Sequence, residues 1–592
     1  MSRQNKYGTL FFFLMVLVIA WHFTAVPFIV YGHEFGMSLV HTFAVALVGA
    51  LALAAPYWLL PRSWRPLSWL PVALSTAWGI SQLWYARTYN DIMPLQVFTL
   101  TGNVNSLLID SVLGSVRWAD LWIIVPTLLL LLLPVKKIAH AFPLWTSPNY
   151  HHESQQRLSR RVRPFAMTVA LALLMCVLTN VNLLWSGKGM KQAFDERYAT
   201  CFVNARYCGE NGIIPYLLYS AHEWRHSHQP LTTAEKEQLN AFNKQLPSYS
   251  NNPYGTPGKK NLIVVIIESM QSWPIGMKID GREVTPTLNQ LLKKQGTISC
   301  LNVVPQISYG HSSDGHFLYD TGLLPLLQES VAISFGDNNF MSLPKALTGY
   351  DRREVMVNEA QSWNQTVTPF SYGFQKLYAR QELDAALKRN NNIDDNALFD
   401  FVNQDLLPHM KQPFMLQMVT LTMHTPHKTG KLPQSWLTQS KAYNELGRNF
   451  LNEVNNLDNC LASLYKRLHE LKLDSNTVVA IVSDHNEVDL NEVEGRPIGT
   501  LRDTAIPMIV TGTNVTLHRN SVMGQIDIYP TLLDVMGANH YPWKGLGHSI
   551  LRYPVTSAVS KRQQVVGKPN ALTPHQQKAW SMSPLYIRNL SK

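Results

Sequence analysis

The chain has 592 residues, too many for one ordinary hydrophobic core, so we expect two or more domains. Hydrophobic residues make up 46% of the chain, and nearly all of its long uncharged runs fall before residue 186. The net charge of +11 is not arranged as a basic stripe with interleaved aromatic residues, which disfavours nucleic acid as a partner.

The first 185 residues are typical of a multi-pass membrane protein. Five apolar segments are long enough to span or nearly span a bilayer, which takes about 20 residues. The predicted spans cover residues 8–31, 37–60, 66–86, 118–135 and 164–185. One such segment alone is compatible with a buried core helix, whereas five in series predict a transmembrane domain of five helices over residues 1–185.

The loops between these spans predict their orientation. Lys and Arg are concentrated before the first span, between the second and third, and between the fourth and fifth. Basic loops stay in the cytoplasm, so an odd number of spans places everything after residue 185 outside it. Residues 186–260 are predicted to form connector helices and a linker, including a helix over 231–246 with Thr232 or Thr233 as its N-cap.

Residues 261–592 are predicted to form an α/β domain. Strand-like apolar runs alternate with helical stretches, and the runs cover residues 261–268, 413–424, 477–485 and 506–512. This alternation predicts a mostly parallel sheet covered by helices on both faces. Chemistry in such sheets sits outside the carboxyl ends of the strands, where three of the runs place Glu268, His424 and the Asp484–His485 pair.

The residue types at these strand ends suit a metal-dependent site. Carboxylate and imidazole ligands accept Zn²⁺, Mn²⁺ or Mg²⁺. Ser312 and Ser313 lie in YGHSSDGHF at 309–317, which is predicted to be a Gly- and Ser-rich turn, and a hydroxyl beside such an ion becomes a nucleophile. Each residue taken singly has a structural explanation as a cap, core or turn residue, but their joint occurrence at strand ends favours a site.

Five motifs in this region resemble the lipoteichoic acid synthase family, a membrane-anchored branch of the alkaline phosphatase and sulfatase superfamily. They are NLIVVIIESMQSW at 261–273, GHSSDGHF at 310–317, LTMHTPH at 421–427, IVSDH at 481–485 and GQIDIYPTLLDVMG at 524–537. The resemblance implies five spans, a connector and an extracytoplasmic catalytic domain over residues 261–592. It also implies a location in the bacterial cytoplasmic (inner) membrane.

The same resemblance implies the roles of particular residues. One divalent ion, usually Mn²⁺ in this family, is expected to be held by four residues: Glu268, Ser312, Asp484 and His485. Ser312 is the expected nucleophile, and His424 and Trp363 are expected to bind substrate. The family nucleophile is commonly threonine, and the chemistry tolerates serine because the extra methyl group does not react. In SWNQT at 362–366, Gln365 stands where the family tends to carry arginine, so a charged phosphate clamp is missing.

The activity implied is phosphoglycerol transfer from phosphatidylglycerol to an acceptor hydroxyl on a glycolipid, a polymer or a glucan. Ser312 would carry the headgroup covalently while diacylglycerol leaves. A phosphoethanolamine transferase and a catalytically silent lipid-binding or signalling membrane protein are the alternatives. A true sulfatase is disfavoured because Ser312 lacks the x-Pro-x-Arg continuation, and an alkaline phosphatase usually needs more metal ligands.

Overall fold

The computed structural model describes most of the chain, namely residues 3–31, 38–60, 64, 67–89, 92–95, 97, 116–132, 155–179, 204–248, 251–255, 259–360, 362–387, 394–487, 490, 493–494 and 504–590. The chain divides into two compact units. The first comprises Met1–Leu95 and Val112–Glu223, and the second comprises Gln96–Ser111 and Trp224–Lys592. The boundary falls within the predicted connector. The division into residues 1–185, 186–260 and 261–592 stays a prediction.

The first unit is helical in its described part. Its helices are α1 (Arg3–Tyr31), α2 (Leu39–Ala54), α3 (Trp69–Tyr89), α4 (Leu121–Leu131), α5 (Gln155–Thr179), α6 (Asn204–Asn211) and α7 (Ile213–Ser227), the last of which crosses into the second unit.

Within the described residues of the first unit, three helical segments are long and apolar enough to cross a membrane: Gly8–Ile29, Leu39–Trp58 and Arg161–Thr179. They coincide with the first, second and fifth predicted spans. The third predicted span corresponds to α3 and the fourth to a shorter apolar helix, Trp118–Leu131. Residues 37, 66, 133–135 and 180–185 of the predicted spans lie outside the described residues, and the count of five spans stays a prediction.

The second unit is an α/β domain. Its helices are α8 (Thr233–Asn243), α9 (Pro286–Leu291), α10 (Ser312–Thr321), α11 (Val331–Ser334), α12 (Leu343–Ala346), α13 (Thr368–Tyr372), α14 (Arg380–Leu387), α15 (Asp395–Phe401), α16 (Glu445–Glu470), α17 (Ile528–Val535) and α18 (Thr573–Asn589). Its strands are β1 (Asn261–Ile267), β2 (Lys278–Ile279), β3 (Arg282–Glu283), β4 (Ile298–Val304), β5 (Asp351–Met356), β6 (Lys376–Tyr378), β7 (Phe414–Val419), β8 (Thr477–Ser483), β9 (Ile506–Thr511), β10 (Leu517–Arg519), β11 (Met523–Gly524), β12 (Ser557–Val559) and β13 (Val565–Gly567).

The main sheet has the strand order β10-β4-β9-β8-β1-β7-β5-β6, and β11 also pairs with β4. All of these pairings are parallel except the two made by β9. The predicted mostly parallel sheet is therefore confirmed. Two small antiparallel pairs, β2–β3 and β12–β13, lie outside it.

Helices cover both faces of this sheet, as predicted. Alternate residues of β1 point to opposite faces, and every residue of the strand is buried. Leu262, Val264 and Ile266 pack with hydrophobic residues of α8, α10, α17 and α18. Ile263 and Val265, with Ile267, pack against α9, α15 and α16. Two buried faces explain why this strand is an uninterrupted apolar run.

The register of the central strands brings their carboxyl ends level. Ile266 pairs with Val419 of β7, and Ile267 pairs with Ser483 of β8. The predicted strand over 413–424 ends at Val419, and the residues after it turn across the sheet edge: the Thr420 hydroxyl accepts a hydrogen bond from the backbone N–H of Glu268 at 3.0 Å. The residues that follow β1, β7 and β8 therefore meet at one edge.

Candidate metal centre and active site

Three predicted metal ligands meet at the end of the central strands. Glu268 follows β1, and Asp484 and His485 follow β8. All three are buried, and one ligand atom from each lies within 4.8 Å of the others. His485 Nε2 is 3.4 Å from Glu268 Oε1 and 3.5 Å from Asp484 Oδ2. The backbone N–H groups of Ser269 and His485 donate to Asp484 Oδ1, at 2.9 Å and 2.7 Å, and fix that carboxylate.

The imidazole of His485 is oriented as a metal ligand. Its Nδ1 donates to the backbone carbonyl of Asn486 at 3.1 Å, because a carbonyl oxygen only accepts. Nε2 is therefore the ring nitrogen that faces the two carboxylates. A hydrogen bond from the other ring nitrogen to a carbonyl is the usual way in which proteins orient a metal-binding histidine.

The electrostatics of this cluster also fit a cation. Burial and the charge of Glu268 together raise the pKa of Asp484 to about 7. Burial opposes ionisation of Glu268, but its hydrogen bond with His485 and the charges of His424 and His485 hold the pKa of Glu268 well below its usual range. Although burial lowers it, the neighbouring carboxylates raise the pKa of His485 to about 10. Two carboxylates and an imidazole thus compete for one proton, and a divalent ion would satisfy all three.

Ser312 lies beside the three ligands. Its Oγ donates to Glu268 Oε2 at 3.3 Å and is 3.2 Å from His485 Nε2. Ser312 is half-buried, whereas Ser313 is buried and donates to the carbonyl of Gly310 at 2.7 Å. The structure therefore brings Ser312, and not Ser313, to the cluster.

The sequence predicted a turn over 309–317, but this prediction is wrong for residues 312–317, which are helical. Helix α10 begins at Ser312, so the hydroxyl stands at a helix N-terminus. The preceding residue, His311, has a left-handed backbone with φ of 44°, and its ring centroid lies 4.7 Å from that of His485. A non-glycine residue in this conformation is held there by its surroundings, which here include the candidate metal ligand His485.

His424 lies on the turn that follows β7. Its Nδ1 donates to the carbonyl of Thr425 at 2.6 Å, which leaves Nε2 as the acceptor of the neutral ring. Burial lowers the pKa of His424, while the charge of Glu268 opposes that shift, so the two side chains are neighbours. Lys431 Nζ donates to the His424 carbonyl at 2.6 Å and lies 3.4 Å from Glu453 Oε1, which fixes the turn.

Trp363 lies on a turn that contacts α10 through Gln365. Trp363 and Asn364 have left-handed backbones with φ of 52° and 57°. The next residue, Gln365, is buried, and its Nε2 donates to His316 Nδ1 at 3.3 Å. His316 belongs to the helix that begins at Ser312, so this contact connects the turn that carries Trp363 with α10. His316 was not among the residues predicted from the sequence, although its spacing of four residues from Ser312 is a helical signal.

Comparison with known proteins agrees with this architecture. A family model described as sulfatase matches residues 260–538, and one described as lipoteichoic acid synthase N-terminal domain matches residues 1–229. The chain is similar to the lipoteichoic acid synthase of Staphylococcus saprophyticus, with 24% identity over 494 residues, covering 79% of this chain and 72% of that protein. It is 25% identical to the Staphylococcus aureus lipoteichoic acid synthase over 480 residues, covering 76% and 70% respectively.

The fold also matches a solved structure. The lipoteichoic acid synthase LtaP from Listeria monocytogenes superposes with a TM-score of 0.51 and 20% identity, covering 60% of this chain and 98% of the other. The two matched family models together reach from the apolar helices to the end of α17. The chain therefore belongs to the lipoteichoic acid synthase-like family of the sulfatase superfamily.

Proposed function

We propose that this protein moves a phosphoglycerol headgroup from phosphatidylglycerol to an acceptor hydroxyl through a covalent intermediate on Ser312. The observation that carries the proposal is the position of the Ser312 hydroxyl, within 3.3 Å of Glu268 and 3.2 Å of His485. The relatives named lipoteichoic acid synthase support the choice of a glycerol phosphate donor.

In the first half-reaction, Ser312 Oγ loses its proton and attacks the phosphorus of the donor lipid. The Oγ–P bond forms, the P–O bond to diacylglycerol breaks, and the diacylglycerol oxygen receives a proton. His424, whose Nδ1 is held by the Thr425 carbonyl, is the proposed proton carrier at Nε2. A divalent ion bound by Glu268, Asp484 and His485 would neutralise phosphoryl charge and lower the pKa of the serine hydroxyl.

In the second half-reaction, an acceptor hydroxyl displaces Ser312. His424 Nε2 takes the proton of the acceptor, the new O–P bond forms, and the Oγ–P bond breaks as Ser312 regains a proton. The acceptor class comprises hydroxyl groups of a glycolipid, a growing polymer or a glucan. Trp363, on the turn connected to α10 through Gln365, is the proposed contact for the glycerol moiety.

The proposed setting is the bacterial cytoplasmic (inner) membrane. Five spans would hold the second unit on the extracytoplasmic side, where the outer leaflet supplies the donor lipid. Mn²⁺ is the proposed ion, with Zn²⁺ and Mg²⁺ as alternatives, because an oxygen-rich set with one imidazole accepts all three.

The test uses the full chain in vesicles that contain phosphatidylglycerol and Mn²⁺. Wild-type protein is expected to release diacylglycerol and to carry a phosphoglyceryl group on the Ser312 peptide, detected by mass spectrometry. Ser312→Ala is expected to reduce release by about 1,000-fold or more, since the nucleophile is lost. Ser313→Ala is the matched control, because it removes a neighbouring hydroxyl that bonds only within its own loop and to Ser330. Unchanged release by Ser312→Ala would overturn the proposal.

A further inference from the structure

A buried imidazole with one unpartnered nitrogen lies one helical turn beyond Ser312. His316 is 5% exposed, and its Nε2 has no hydrogen-bond partner within the described part of the chain. Side chains four residues apart lie on the same face of a helix, so His316 shares a face with the nucleophile. Burial has the largest effect on the pKa of His316, and the charges of Glu268 and His485 also act on it, so the ring lies within electrostatic range of the candidate metal ligands.

The contacts of Gln365 fix the tautomer of this ring. Gln365 Nε2 donates to His316 Nδ1 at 3.3 Å, and Gln365 Oε1 accepts from the Thr368 hydroxyl at 3.3 Å. An amide NH₂ group only donates, so Nδ1 accepts and the ring proton resides on Nε2. Burial lowers the pKa of His316 to about 4, so the ring is neutral at neutral pH.

His316 therefore carries a neutral N–H donor that lacks an acceptor within the described part of the chain. A buried donor left in this state is unfavourable, and native proteins keep such groups mainly where a ligand or an ordered water completes them. The adjoining turn has two consecutive left-handed residues, Trp363 and Asn364, and backbone strain of this kind also clusters at ligand sites. An oxygen of the substrate is the partner that this arrangement lacks.

We propose that the Nε2–H of His316 selects the headgroup of the donor lipid, binding a hydroxyl oxygen of glycerol and rejecting an ammonium group. This inference rests on the proposed function and deepens it. A hydroxyl oxygen accepts a hydrogen bond, whereas an ammonium group only donates and would face another donor. A site built to hydrogen-bond a substrate hydroxyl discriminates strongly against an analogue that lacks it. The donor class is therefore a phospholipid with a polyol headgroup.

Two substitutions separate headgroup contact from a purely structural role. His316→Asn ends at the position of Nδ1, so its side-chain oxygen keeps the bond from Gln365 but loses the donor at Nε2. His316→Gln reaches the position of Nε2 with an amide N–H but gives up the contact with Gln365. The assay measures kcat and KM for vesicles of phosphatidylglycerol and of phosphatidylethanolamine, and thermal unfolding confirms that each variant is folded.

We expect wild-type protein to have a higher kcat/KM for phosphatidylglycerol than for phosphatidylethanolamine. His316→Asn is expected to raise KM for phosphatidylglycerol and to reduce this preference by about 10-fold or more, as for loss of one specific hydrogen bond. His316→Gln is expected to retain most of the preference. The inference is overturned if His316→Asn keeps the wild-type preference while His316→Gln loses it, since the bond to Gln365 alone would then matter.

A measurement on wild-type protein keeps the inference testable if both variants unfold. Glycerol phosphate is expected to inhibit at a concentration about 10-fold lower than phosphoethanolamine, and equal inhibition would contradict the role of His316. Failure of the proposed function gives a different result: no adduct forms on Ser312 from either lipid, and both proposals fall. An adduct that carries phosphoglycerol, together with equal inhibition by the two headgroups, overturns only the inference about His316.

Discussion

At the scale of single residues, Glu268 and Asp484 are two buried carboxylates that converge on one imidazole. Glu268→Gln removes one of the two negative charges that would bind a divalent ion. We expect Mn²⁺ to stabilise the wild-type protein by about 3 kcal/mol when present at 100 times its dissociation constant. The variant is expected to retain less than about 1 kcal/mol of this stabilisation, because the ion would bind it far more weakly.

Thermal unfolding of the full chain, with Mn²⁺ and with a chelator, measures this difference. Glu237→Gln is the matched control, since Glu237 is an exposed carboxylate on α8. An equal Mn²⁺-dependent shift in wild type and Glu268→Gln would show that the ion binds elsewhere. Because the readout is stability, the result does not depend on the identity of the lipid donor.

At the scale of elements, helix α10, which begins at the proposed nucleophile Ser312, approaches the end of β8 too closely for a side chain at Gly315. A Cβ added at Gly315 would lie 2.8 Å from the Cα and the carbonyl oxygen of Asp484, and backbone cannot move aside easily. Gly315→Ala is therefore expected to displace the helix, to destabilise the protein by about 1–3 kcal/mol and to weaken metal binding.

A stability-matched control exists for this change. Gly276→Ala meets nothing within 4 Å, yet its φ of 83° makes the alanine cost about 1–2 kcal/mol. We expect Gly276→Ala to keep the Mn²⁺-dependent stabilisation and headgroup transfer, and Gly315→Ala to lose most of both. Equal Mn²⁺ responses in the two variants would mean that the packing of α10 on Asp484 does not position the site.

The same elements show what the sequence could and could not predict. The runs that became β1, β7, β8 and β9 are buried throughout, so their apolar composition identified them. The proposed metal ligands come directly after β1 and β8. The start of α10 was missed because its Gly and Ser residues are turn formers, and the helix depends on the fit of Gly315 to Asp484. The His316–Gln365 contact joins residues 49 apart, which no local pattern reveals.

At the scale of the whole molecule, an ion pair in the second unit joins α8 to the C-terminal helix α18. The guanidinium of Arg588 on α18 is buried and donates to Glu235 on α8 at 2.6 Å, and to the carbonyl of Gln229 at 3.1 Å. Glu235 also accepts from the backbone N–H of Thr232 at 2.7 Å, which caps α8. The predicted helix and its Thr232 cap are confirmed, and the distant arginine partner is what the local sequence did not indicate.

The Glu235–Arg588 pair gives the molecule a specific pH dependence. Burial opposes the charge on Glu235, but the hydrogen bonds from Arg588 and Thr232 lower the pKa of Glu235 to about 2. The pKa of Glu235 in the folded protein lies below its value of about 4.3 in the unfolded chain. The ion pair therefore stabilises the folded state fully above about pH 4.3, and this stabilisation is lost as the pH falls towards 2. Glu235→Gln is expected to lower the free energy of unfolding by about 1–3 kcal/mol at pH 7, as for the loss of hydrogen bonds to a charged group. Below about pH 4 the difference from wild type is expected to become progressively smaller.

Unfolding of the full chain between neutral and acidic pH tests this expectation, with Glu237→Gln again as the exposed control. A cost that stays constant with pH would assign the effect of Glu235→Gln to altered packing instead of charge. Since α8 supplies none of the proposed site residues, adduct formation on Ser312 per folded molecule is expected to remain within about twofold of wild type. A larger loss would mean that the contact between α8 and α18 also positions the proposed site at the sheet edge.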